Sequence, residues 1–73
     1  MSPVLAIKAE QEVLLLGFVT TQNGWMVNAV YVGRDGGLDY CELRDIRIAR
    51  PTEEWPVGFL DTPETRALLE ARR

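Results

Sequence analysis

The chain has no histidine, one cysteine and one lysine among its 73 residues. Each shortage closes a route. Without histidine there is no base for a nucleophilic triad. Structural zinc takes four ligands, mostly Cys and His, so Cys41 alone makes no such site. A lone cysteine has no partner for an internal disulfide, and it fits a reducing, cytoplasmic compartment. Basic charge is scarce as well. Eleven acids against eight bases give a net charge of -3. Dedicated nucleic-acid binders of this size are basic, so direct nucleic-acid recognition drops to second rank. Gly36-Gly37 is followed by neither a Lys-Ser/Thr pair nor a helical pattern, so it reads as a hairpin turn and not a phosphate cradle. No catalytic residue, cofactor site or metal site is expected.

Charge is also missing from Val13 to Gly33, a run of 21 residues. That length suits a membrane helix. Its middle, Thr20 to Gly24, is polar and turn-forming, which is costly in hydrocarbon. Two strands and a turn are the better reading. No basic segment leads into an apolar one at the N-terminus, so a secretory signal is not expected. Hydrophobic residues make up 47% and charged residues 26%, enough apolar material for one small domain over residues 1–73.

The pattern predicts a β core over about residues 3–51. Val4 to Lys8 is a short apolar strand. Val13 to Thr21 is rich in apolar and β-branched residues, and Gly17 with the Val-Thr-Thr end favours a strand over a helix. Asn23-Gly24 is the strongest turn signal, because a type I′ turn needs positive φ at both central residues. Trp25 to Val32 returns as a central strand with both faces apolar. After the Gly33–Gly37 turn, Leu38 to Arg50 is a strand pair or one bent strand. Alternation breaks between Leu43 and Ile46, so a bulge or a single 3₁₀ turn is expected near Arg44-Asp45. Pro51 ends the element. Residues 52–61 read as irregular, with Trp55 and Phe59 tucked onto the core. Thr62-Pro63-Glu64 starts a short helix over residues 62–73, with Leu68 and Leu69 as its apolar contacts. About ten residues is marginal for a helix without packing, which leaves fraying and docking only in a complex as open alternatives. The fold class is mainly β: a small antiparallel sheet with a short C-terminal helix, an SH3-like barrel being the leading architecture.

Several groupings invite a functional reading. Asp39, Glu42 and Asp45 recur every third residue on a strand and alternate faces, so solvated surface charge is the plainer account. Arg44, Arg47 and Arg50 form a row suited to carboxylate or phosphate, provided a bulge brings them to one face. A charged edge strand guarded against aggregation explains the same row. Trp25 is either a rim hot spot or a core plug, and Trp55 is open between the two. Trp25, Tyr31 and Tyr40 are the residues available for an aromatic cage.

The chain as a whole, and Val13 to Gly33 (VLLLGFVTTQNGWMVNAVYVG) with Leu38 to Pro51 (LDYCELRDIRIARP) in particular, resembles the small transcription regulators of Xanthomonas phages that bind host RNA polymerase. The resemblance implies inhibition of σ-dependent initiation and antitermination at intrinsic terminators. It implies contact with the N-terminal segment of the β′ subunit and with the β flap near the RNA exit channel, a host elongation factor being a further partner. Val4 to Lys8 is taken as a free sheet edge for an extended peptide. The partner-binding residues expected are Ile7 and Lys8 on that edge, Glu10 and Glu12 beside it, Trp25 at the rim and Arg47 in the arginine row. Nucleic-acid contact is secondary, no membrane is involved, and the chain is expected to be a monomer. An SH3-like or Tudor-like peptide module and a small structural phage protein are the alternatives.

Overall fold

The computed structural model describes residues 3–20, Gly24 and 26–70, Glu70 by its backbone alone. It is a five-stranded antiparallel sheet with a C-terminal helix. The strands are β1 (Val4–Lys8), β2 (Gln11–Thr20), β3 (Val27–Val32), β4 (Leu38–Glu42) and β5 (Ile46–Pro51). A 3₁₀ turn at Leu43–Asp45 joins β4 to β5, at the break in alternation, and α1 spans Pro63–Glu70. Asn23 and Trp25 lie outside the described residues. Gly24 has a φ of 72°, the left-handed value that the Asn-Gly signal predicts.

Strand order is β4-β3-β2-β1-β5. This corrects one expectation. Val4 to Lys8 is not a free edge: β1 pairs with β2 through Leu5↔Leu14 and Ala6↔Val13, and with β5 through Ile7↔Arg47 and Lys8↔Ile46. The edges are β4 and β5. They do not pair with each other among the described residues, so the sheet is open.

Register sorts the apolar residues into two faces. Leu5, Leu14 and Val32 share one, by the pairs Leu5↔Leu14 and Leu14↔Val32. Ala6, Val13, Leu15 and Tyr31 share the other. Both are covered. On the second face Ala6, Val13 and Tyr31 form a buried cluster, with Cys41 from β4 and Ile46 from β5 packed against it. Side chains from both edge strands thus reach one cluster, which requires the sheet to curl.

The first face is covered by the C-terminal segment. Trp55 and Phe59 pack with Leu5 and Leu14, and Leu68 and Leu69 of α1 pack on Leu16, Val30 and Val32. Burial on both faces is why β2 carries a run of leucines instead of strict alternation. Each such side chain contributes about 1.5–3 kcal/mol when fully buried. Over its described residues the helix packs on the sheet through Leu68 and Leu69. Its start is fixed by a reciprocal cap: the Thr65 N–H donates to Thr62 Oγ1 at 3.2 Å and the Thr62 N–H to Thr65 Oγ1 at 3.0 Å. The buried Thr65 hydroxyl also donates to the Leu60 carbonyl at 3.0 Å.

Next to this cap, the Gly33 N–H donates to the Gly37 carbonyl at 2.9 Å, closing the glycine turn. Gly36 has a φ of 85°, and a Cβ there would lie 3.0 Å from Leu60, so glycine is needed twice over. No helix among the described residues is long and apolar enough to cross a membrane.

Candidate functional site

The site is built on the turn between β1 and β2. Lys8 pairs with Gln11, which leaves two residues, Ala9 and Glu10, to reverse the chain. Both have positive φ, 52° and 63°. A two-residue hairpin turn of this hand suits Asn-Gly, because a Cβ crowds the neighbouring carbonyl in the left-handed region. For Ala and Glu that conformation costs roughly 1–2 kcal/mol per residue. The pairs on either side impose it. Slipping the register by one residue would part Leu5 from Leu14 and break the cluster they form with Phe59. The turn therefore holds Glu10 outward at the tip of the hairpin, at an energetic cost.

Glu10 lies between two depressions. One, of about 430 Å³, is lined by Ile7, Ala9, Glu10, Arg44, Asp45 and Arg47. The other, of about 540 Å³, is lined by Glu10, Glu12, Gly33, Arg34 and Asp35 among others. Three expected partner-binding residues, Ile7, Glu10 and Arg47, thus meet around one hollow. The rest separate from it. Glu12 accepts a hydrogen bond from Arg34 at 2.9 Å, so its charge is already engaged. Lys8 alternates to the opposite face from Ile7, where its charge works against the effect of burial on Cys41. Burial pushes the Cys41 thiol above its ordinary pKa, so it is no activated nucleophile. Trp25 lies outside the described residues.

The aromatic cage does not form. Tyr31 is buried on the Ala6 face, while Tyr40 pairs with Val30 on the other and is largely exposed. Trp55 proves to be a half-buried part of the core, with the Arg66 guanidinium 4.9 Å from its ring centre. Its indole N–H is buried without a hydrogen-bond partner among the described residues.

The arginine row splits. Arg44 donates to Glu42 at 2.6 Å within the 3₁₀ turn. Arg47 lies opposite Ile7 and Arg50 opposite Leu5, because an extra residue between Ile48 and Arg50 shifts the register. Leu5 and Ile7 share a face of β1, so the bulge puts Arg47 and Arg50 on one side. Two features escaped the sequence: the strained Ala9-Glu10 turn, whose residues carry no turn signature, and the position of this bulge. Among the described residues no group of His, Cys, Asp and Glu side chains is placed to hold a metal ion. No family model, curated protein or solved structure matches the chain.

Proposed function

We propose that the chain is a non-catalytic binding module that docks on bacterial RNA polymerase as a phage-encoded regulator in the host cytoplasm. The polymerase comes from the resemblance carried by Val13 to Gly33 and Leu38 to Pro51. The observation that supports a binding role is Glu10, an acid held at a strained hairpin tip between two hollows. Strain of this kind persists where a side chain must be presented in one direction. An acid so presented suits a basic extended segment, and the partner surface proposed is the N-terminal segment of β′ with the β flap. Docking there inhibits σ-dependent initiation and promotes antitermination, with a host elongation factor as a further partner. The segment engages the Glu10 end through side chains and does not add to β1, whose two edges are both occupied.

An SH3-like partial barrel is the finer architecture we infer. The 3₁₀ turn between the last two strands and the shared cluster of Cys41 and Ile46 support it. A general peptide-binding module of that fold is the second reading, favoured by the two open edges.

Capture from bacterial lysate by the tagged chain tests the first reading. Recovery of β and β′ is expected, without nucleic acid. Charge reversal at Glu10 and Glu12 is expected to weaken capture by about tenfold or more, and neutralising Arg44 and Arg47 by less. Because reversal at Glu12 also breaks its bond to Arg34, Glu10→Lys alone is the cleaner variant. Absence of β and β′ overturns the polymerase reading.

A further inference from the structure

The fold does not treat its arginines alike. Arg34 is paired with Glu12, Arg44 with Glu42 and Arg66 with Asp61. Arg47 and Arg50 have no carboxylate partner among the described residues. The chain carries eleven acids and eight bases, so a surface arginine without an acid runs against its composition. Two such arginines stand on one strand, and the bulge turns both to the same side.

Their surroundings suit a chain in extended form. Among the described residues β5 has β1 on one flank and no strand on the other, so its outer backbone groups are open to pairing. Hollows lie by both arginines: one of about 430 Å³ with Ile7, Glu10, Asp45 and Arg47, and one of about 320 Å³ with Leu5, Glu12, Arg50, Glu54 and Trp55. On the opposite face Ile48 is 60% exposed and offers an apolar contact.

We propose that the β5 edge is a second docking surface, taking an acidic extended segment of a partner protein. The carboxylates of the segment accept charge-assisted bonds from Arg47 and Arg50. Its backbone pairs with Ile46–Ile48, since the bulge and Pro51 stop regular pairing beyond. Arg47 and Arg50 face Ile7 and Leu5, two residues apart on β1, so the matching acids sit at alternate positions, about 7 Å apart. A nucleic acid fits less well. It makes no use of the open backbone groups of a strand edge. The surface shares the Arg47 hollow with the Glu10 site, and Arg50 lies outside that hollow.

The probe is a nonapeptide of alternating glutamate and valine, titrated into the full chain and followed by amide NMR. Binding with shifts centred on residues 46–50 is expected. Arg47→Glu with Arg50→Glu is expected to weaken it by at least about tenfold, and Lys at both positions to keep part of it. Retained amide dispersion in each variant separates lost contact from lost fold. Arg50→Glu alone is expected to weaken the peptide while leaving polymerase capture unchanged, so this surface and the proposed function fail separately. Three results overturn the proposal: no binding of the alternating peptide, equal binding of a peptide with its glutamates clustered at one end, or preferential binding of an oligouridine at the same arginines.

Discussion

Glu10 shows how a single residue trades stability for presentation. With φ at 63° it occupies a region that glycine enters freely, so Glu10→Gly removes the strain. The variant is expected to be more stable by about 1 kcal/mol, read as a raised denaturation midpoint. It is expected at the same time to bind the polymerase segment more weakly. A variant that lost stability would mean that the turn carries no strain, and one that bound equally well would remove Glu10 from the site. Nothing in Ala9-Glu10 announces this conformation. Gly24 was legible because glycine itself favours positive φ, whereas Ala9 and Glu10 are forced into it by the burial of Leu5, Ala6, Val13 and Leu14 on either side. Glu10 and Arg47 were legible as charges near a strand. Their meeting with Ile7 depends on how β1 and β5 pair, which no local pattern contains.

Among the elements, α1 depends most on packing for its stability. Eight residues are too few for a stable isolated helix, although the sequence marks Leu68 and Leu69 as its apolar contacts. The packing of Leu68 and Leu69 on Leu16, Val30 and Val32 supplies what propensity does not. A chain truncated after Thr62 is therefore expected to lose several degrees of melting temperature, since that apolar face of the sheet would meet water. An unchanged melting curve would show that the helix is dispensable. An exposed ion pair at the start of α1, Asp61 with Arg66, also titrates. The hydrogen bond from Arg66 holds the Asp61 carboxyl below the usual carboxylate range. A group with a lowered folded pKa contributes above its unfolded pKa and loses that contribution as pH falls through the folded value. Amide signals of residues 62–69 are thus expected to broaden or shift below about pH 4, the ordinary carboxylate range, before the sheet signals do. In Asp61→Asn that early change should vanish. The 3₁₀ turn and the helix start were both readable, because broken alternation and Thr-Pro-Glu are local signals. The bulge between Ile48 and Arg50 was not, since it exists only relative to the partner strand.

At the scale of the whole molecule, the strand composition and most strand limits follow from the sequence, while the strand order does not. β1 looks like an edge until β5, almost forty residues on, returns to cover it; the Thr52 N–H continues that pairing by donating to the Pro3 carbonyl at 2.8 Å. The result is a sheet covered on both faces, with two open edges and an acidic hairpin tip at one end. Such a body has surfaces for partners, and its proposed chemistry is recognition through protein contacts. Titration of the purified chain with a β′ N-terminal peptide, in the absence of nucleic acid, tests this most directly. The account predicts saturable binding that Glu10→Lys weakens by about tenfold or more while the amide spectrum stays folded. No binding to that peptide, together with tight binding to free RNA, would contradict it.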